Sequence, residues 1–276
     1  MKQRTTGNGI KLTILIFIAF IQLFPLYWLL LYSLKTNAEI LGQNILGLPW
    51  VAQWSNYQTV LKSGEIVRYF INSVFYTGVT VLVVGLVTSL AAYGITRMKW
   101  KLSSTVMLIF TIGIMIPTHA ALLPLFQVLD LMGLKGGYVG LMLPYIAFAI
   151  PMSVMIMASF YRSIPKEMEE AAFIDGCNIG QSFFKVIFPM VRPALATASI
   201  FTFMGTWNEL LFATTLLDKD EFRTLPVGIM AFQGVYMTDL GLIGAGLVIA
   251  TIPTIIIYAL LSNKVQQSLV AGAVKG

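Results

Sequence analysis

The sequence predicts an all-α membrane protein of six transmembrane helices with both termini in the cytoplasm, and three observations carry that expectation. Of 276 residues, 57% are hydrophobic and only 11% charged, whereas soluble domains carry about 25% charged residues. The apolar residues fall into six long runs, at 12–34, 72–95, 104–126, 138–160, 194–214 and 241–262. A hydrocarbon core of about 30 Å takes ~20 residues of helix to cross. The 18 Lys and Arg flank these runs and do not gather on one segment, which is the placement of membrane-anchoring charges and argues against nucleic-acid binding.

The run 12–34 follows Lys2, Arg4 and Lys11 in the manner of a signal peptide, but it continues to Leu34 without a small-residue cleavage site and reads as a retained span. All six runs are too long and too unalternating for barrel strands, and a backbone in lipid must satisfy its own polar groups, so each is expected to be a helix. Pro25, Pro117, Pro124, Pro144, Pro151 and Pro253 lie within the runs, where proline kinks helices and supplies irregular backbone. His119 is the only histidine; beside Pro117 it reads as a partner for neighbouring backbone more readily than as a proton shuttle. Gly241, Gly244 and Gly246 open the last run and permit close helix packing. Met152, Met155 and Met157 read as adaptable packing. The single Cys177 excludes an internal disulfide, and no metal site is expected.

Orientation follows from the basic residues between runs. With the N-terminus inside, twelve Lys and Arg face the cytoplasm, whereas only Lys35, Lys62, Arg68, Lys135, Lys219 and Arg223 lie outside. Positive charge favours the cytoplasmic side, so 161–193 is a cytoplasmic connection. Pro165 suits the first turn of a helix, where its missing N–H costs nothing. Glu167, Glu169 and Glu170 complement the helix dipole. Met168, Ala171, Ala172 and Cys177 offer a small-residue surface, and Gly176 is a left-handed stop after Asp175. A second short helix is expected at 180–188, with Pro189 and Pro193 breaking the chain before the next span. A solvated amphipathic loop accounts for the same residues equally well.

The stretch EAAFIDG at 170–176, followed by VIFP at 186–189, closely resembles the EAA loop of ABC importer permeases. That pattern is Glu-Ala-Ala, three residues, Gly, nine residues, then Ile-x-Leu-Pro; Val186 and Phe188 stand where Ile and Leu are usual. The likeness extends along nearly the whole chain. Phe160-Tyr-Arg-Ser-Ile-Pro165, Asp175, Asn56-Tyr57, Asn72-Ser73, Ala92-Tyr93-Gly94 and Trp207-Asn208-Glu209 resemble the carbohydrate branch. The ending Ala271-Gly-Ala-Val-Lys-Gly276 is similar to that of the smaller, MalG-like permease of maltose-type importers.

That resemblance implies a type I ABC importer permease fold, one permease domain over 1–276, and a non-catalytic transport subunit in a bacterial cytoplasmic membrane. Implied partners are a MalF-like second permease, an ATPase homodimer carrying ATP and Mg, an extracytoplasmic sugar-binding protein and membrane lipid. The chain itself has no G-x-x-x-x-G-K-[ST] and is expected to bind no cofactor. The ATPase contact is implied for Glu169, Glu170, Ala171, Ala172, Asp175 and Gly176, with Glu170 pairing an ATPase Arg. In the C-terminal tail at 263–276, Gly272, Ala273, Val274, Lys275 and Gly276 are implied to reach between the ATPase subunits. Contact with the binding protein is implied for Phe232, Gln233, Gly234 and Tyr236.

Trp207, Asn208 and Glu209 remain candidates for the translocation path or its gate. An acid within a span is costly and usually has a purpose, but interhelical polar contacts are also common glue. Trp50, Trp54 and Tyr57 outside the membrane fit sugar stacking or headgroup anchoring. The alternative function is an ion-coupled secondary transporter. It calls for buried acids near mid-membrane, and the runs hold none except the peripheral Glu209. An intramembrane enzyme would need paired carboxylates or a nucleophile with its base, which one His and one Cys do not supply.

Overall fold

The computed structural model describes residues 3–42, 44–62, 64–233 and 238–273, with side chains over most of 9–262. The described residues form helices joined by turns and irregular links, with one isolated antiparallel bridge between Gln233 and Thr238. The helices are α1 (Gln3–Ser33), α2 (Asn37–Leu41), α3 (Ser55–Lys62), α4 (Glu65–Thr96), α5 (Ser103–Met115), α6 (Leu122–Leu131), α7 (Tyr138–Ser163), α8 (Glu167–Ile174), α9 (Ile179–Ser182), α10 (Phe188–Met190), α11 (Arg192–Trp207), α12 (Leu211–Leu216), α13 (Leu225–Met230) and α14 (Leu240–Ala273).

Four of these contain stretches long and apolar enough to cross a membrane: Lys11–Ser33, Glu65–Thr96, Tyr138–Ser163 and Leu240–Ser262. The other two expected spans are broken. The run 104–126 divides at Ile116 and Pro117, and the axes on either side differ by 90°. Ile116 is extended at φ −71°, ψ 117°, the backbone that a following proline imposes. The run 194–214 stops at Trp207, and α12 starts anew at Leu211. Before it, Ile179–Met190 and Arg192–Trp207 meet at 72°. Residues 183–187 between α9 and α10 are π-helical, with Phe188 N–H bonded back to Phe183 O. The wider turn fits Pro189, which cannot donate and whose ring would crowd the carbonyl four residues back.

Contacts divide the chain into two compact units, residues 1–67 with 228–252 and residues 68–227 with 253–276. In the first unit, the end of α1 crosses the start of α14 at its glycines. A Cβ on Gly244 would lie 2.6 Å from Tyr32 Cδ1, and one on Gly241 would lie 2.7 Å from Lys35 O. The turn after α1 is held by buried charge. Lys35 Nζ donates to Asn44 O and Ile45 O at 2.7 and 3.0 Å. Glu39, 3% exposed, closes a capping box with Thr36 and accepts from Trp50 N at 2.7 Å. Chiefly because of that Trp50 bond, its carboxyl is held below the usual carboxylate range.

In the second unit, α4, α5, α7 and α11 pack around one cluster, and α4, α6, α7 and α12 around another. One gathers Tyr93, Met157, Tyr161, Phe183 and Ile187, and the other Tyr76, Leu141, Tyr145, Phe212 and Leu216. Gly113 lets α5 approach α7 closely, because a Cβ there would lie 3.0 Å from Pro151 Cγ. Asn72 and Ser73, quoted above for their resemblance, are tethers. Asn72 Nδ2 donates to Glu221 O and Arg223 O at 2.8 and 2.9 Å, and Ser73 Oγ accepts from Leu225 N at 2.8 Å.

Candidate functional site

The acidic stretch at 169–180 holds most of one short helix, its stop and the start of the next, and the stop and restart are closed by bonds among residues 172–181. Helix α8 carries Glu167, Glu169 and Glu170 in its first turn, where carboxylates stabilise the free N–H end. It ends in a Schellman motif. Gly176 adopts φ +83°, its N–H bonds Phe173 O at 3.0 Å, and Cys177 N–H bonds Ala172 O at 2.9 Å. Asn178 then caps α9 reciprocally with Gln181, at 2.9 and 3.0 Å.

The two adjacent acids of this stretch do different things. Glu169 points inward, where its Oε2 meets Arg97 Nη2 at 2.6 Å and Nε at 2.7 Å. The side chains of the pair are only 5% and 12% exposed. The same guanidinium donates from Nη1 to Ile164 O at 2.8 Å and Tyr161 O at 3.3 Å, and from Nη2 to Pro165 O at 3.3 Å. Glu170 is exposed, one position and about 100° further around the helix. Ala172 is buried with Glu169 on the inner side, while Ala171, Ile174 and Asp175 are exposed with Glu170; Ile174 is 86% exposed. Of the residues expected to meet an ATPase, the structure therefore turns Glu169 and Ala172 toward the chain's own core. Sequence reasoning missed Arg97. Its signal was a cation two residues past an apolar run, which reads equally as an interface anchor.

Glu209 sits in the break between α11 and α12 and is occupied by its own chain. Oε1 accepts from Phe212 N at 2.8 Å, and Oε2 accepts from Ala213 N at 3.1 Å and Tyr145 OH at 2.8 Å. The carboxylate thus satisfies the first N–H groups of α12 and ties that helix to α7. Trp207 is 3% exposed, stacked on Phe203 with ring centroids 5.6 Å apart and edge-on to Phe70 at 5.7 Å. It packs inside the chain and lines no surface. Asn208 Nδ2 folds back to Met204 O at 2.9 Å. A cleft of about 360 Å³ opens beside the break, lined among others by His119, Tyr145, Phe148, Phe201, Thr202 and Glu209.

Phe232 and Gln233 lie at the end of the segment after α13, where Gln233 pairs with Thr238. Gly234 and Tyr236 fall outside the described residues. So do Val274, Lys275 and Gly276, while Gly272 and Ala273 are the last two residues of α14. Helix α14 continues past the last expected span through residues 263–273 of the expected tail. Among the described residues no group of His, Cys, Asp and Glu could hold a metal ion.

Residues 85–270 match the family described as "Binding-protein-dependent transport system inner membrane component". The chain belongs to this family. It is 34% identical over 253 residues to the "Probable ABC transporter permease protein YurM" of Bacillus subtilis, an alignment covering 92% of this chain and 84% of that protein. It is 32% identical over 265 residues to the "Trehalose/maltose transport system permease protein MalG" of Thermococcus litoralis, covering 95% and 94%. Among solved structures, it is similar to a bacterial ABC transporter involved in the import of the acidic polysaccharide alginate. That similarity has a TM-score of 0.76 at 24% identity over 95% of this chain and 98% of that one, and it shows the type I importer permease fold. The permease is a transport component without chemistry of its own, and the ion-coupled alternative finds no support.

Proposed function

We propose that this permease is the MalG-like half of the membrane path of an ATP-driven carbohydrate importer, and that α8 is its coupling helix. One observation carries the coupling reading. Helix α8 is held to its own chain by Glu169 and Ala172, while Glu170, Ala171, Ile174 and Asp175 stand exposed on the other side. A partner cation on Glu170 would make a charge-assisted bond that resists sliding, and Ala171 permits close approach. The carbohydrate assignment rests on relatives such as the trehalose/maltose permease, and an oligosaccharide is the cargo we infer.

In this reading 1–276 is one permease domain, and the broken runs 104–126 and 194–214 complete six spans with both termini in the cytoplasm. The membrane is the bacterial inner membrane. A MalF-like second permease supplies the other half of the path. ATP and Mg are bound by an ATPase pair beneath α8 and the C-terminal residues. The binding protein meets the segment around Phe232 and Gln233, and the cleft beside Glu209 borders the sugar path.

The test is Glu170→Ala in the reconstituted complex, assayed for co-purification of the ATPase, hydrolysis, and uptake from a panel of labelled di- and trisaccharides including maltose and trehalose. Uptake is expected to fall about ten- to hundredfold, the size of one lost charge-assisted hydrogen bond, with the ATPase bound weakly. Wild-type assembly, hydrolysis and uptake would make the outer face of α8 a solvated surface and sink the coupling reading.

A further inference from the structure

We propose that Arg97 is the positioning residue through which movement of α8 reaches the membrane helices, a role that rests on the coupling reading above but belongs to a different residue pair. The geometry separates holding from transmitting. Glu170 faces outward, where a partner can be met, whereas Glu169 is spent inside the chain on Arg97. Arg97 stands one residue beyond the end of α4, so a cation from one long helix clamps the first turn of α8. Its other donors bind Tyr161 O, Ile164 O and Pro165 O, in the last turn of α7 and the short link between α7 and α8. Tyr161 O and Pro165 O each accept a backbone N–H as well, from Ile164 and Met168, so the guanidinium adds to bonds already made at this joint. One planar side chain therefore joins α4, α7 and α8.

The chemistry explains why the joint transmits force instead of yielding. Both partners are nearly excluded from solvent, so drawing α8 away from α4 would leave opposite charges separated with little water to screen them. The fork of the guanidinium reaches carboxylate and carbonyls together, which the single ammonium of lysine cannot do in the same directions. The link 164–166 is three residues long and contains Pro165, leaving little slack between α7 and α8. A rotation imposed on the outer face of α8 is thus carried into α4 and α7 as one body.

The experiment uses the complete reconstituted transporter with Arg97→Lys and Glu169→Gln, and Glu170→Ala beside them as the docking control. Three quantities are read: ATPase retained on co-purification, sugar moved per ATP hydrolysed, and the distance between spin labels at Lys101 and Glu167 with and without trapped nucleotide. In both Arg97→Lys and Glu169→Gln the ATPase should remain bound, while sugar per ATP falls about ten- to hundredfold, as for losing one charge-assisted hydrogen bond. The label distance, single and unchanged by nucleotide in the wild type, should split into two populations. Wild-type coupling in an assembled Glu169→Gln complex would overturn the proposal. So would loss of the ATPase, which would place the pair in docking. Should Arg97→Lys fail to assemble, Glu169→Gln decides alone, being close to isosteric and leaving the carbonyl bonds in place. If neither assembles, the pair serves folding only and the proposal falls. Glu170→Ala fails or holds independently, so a wrong docking reading is told apart from a wrong transmission reading.

Discussion

Replacing Glu209 with alanine tests whether the break after α11 is built for stability or for contact with cargo. The substitution strips acceptors from Phe212 N, Ala213 N and Tyr145 OH. Losing a helix cap costs about 0.5–2 kcal/mol. Leaving the hydroxyl of Tyr145, a side chain only 6% exposed, without its acceptor costs about 1–3 kcal/mol. Because Glu209 is half-buried and water can replace part of what is lost, a total of about 2–4 kcal/mol is expected, roughly a thirty- to thousandfold shift in the unfolding equilibrium. Glu209→Gln keeps one acceptor oxygen and should lose about half as much. The assay is melting of the detergent-solubilised complex, paired with KM and maximal rate of uptake in proteoliposomes at equal folded protein. A lower melting temperature, larger for Ala than for Gln, with KM unchanged is the expected outcome. Wild-type melting with a raised KM would refute the cap argument, since the carboxylate would then be reading sugar and its bonds to α12 would be incidental.

Three other outcomes follow from local geometry. Gly244→Val should destabilise the permease by about 1–3 kcal/mol through overpacking, because the new Cβ would sit 2.6 Å from Tyr32 Cδ1; a thermal melt checks it. Gly176→Ala should cost about 1 kcal/mol and loosen the end of α8, as φ +83° is a left-handed conformation that only glycine adopts freely; melting together with binding of the ATPase reads both effects. Glu39 has a lowered carboxyl pKa in the fold. Its stabilisation is therefore complete above the ordinary carboxylate value and is lost as pH falls through the lower folded value. The wild type should melt above Glu39→Gln at pH ~7, and the two curves should converge once pH falls below the lowered folded value. A constant gap across that range would show that the charge at Glu39 is not what holds the turn.

The acidic stretch shows how far local chemistry could be followed. The acids in the first turn of α8, its stop at Gly176 and the capped restart after Asn178 all depend on residues close by in the sequence. Four helices long and apolar enough to cross a membrane were legible for a similar reason, since the length of an apolar run is itself the property that a membrane selects. Even there the limits moved. The structure begins α4 at Glu65 and not at 72, because Asn72 and Ser73 are turned toward backbone of 221–225 and need no aqueous end.

The two expected spans that broke show where that reasoning stops. A proline at 117 announced irregular backbone but not a 90° turn, and nothing near Glu209 announced that its carboxylate would open a new helix. The sequence alone pointed to a helical chain for a membrane and placed an acidic stretch between its fourth and fifth apolar runs, leaving open whether that stretch is a helix or a solvated loop. Tertiary structure alone decided which of two neighbouring glutamates is buried, that Trp207 packs inward, and that Arg97 closes on a helix 72 residues away. Solvent preference is summed residue by residue and can be read along a line. The partner of a buried charge depends on where distant helices end and on about 100° of rotation per residue, so it exists only once the chain has packed.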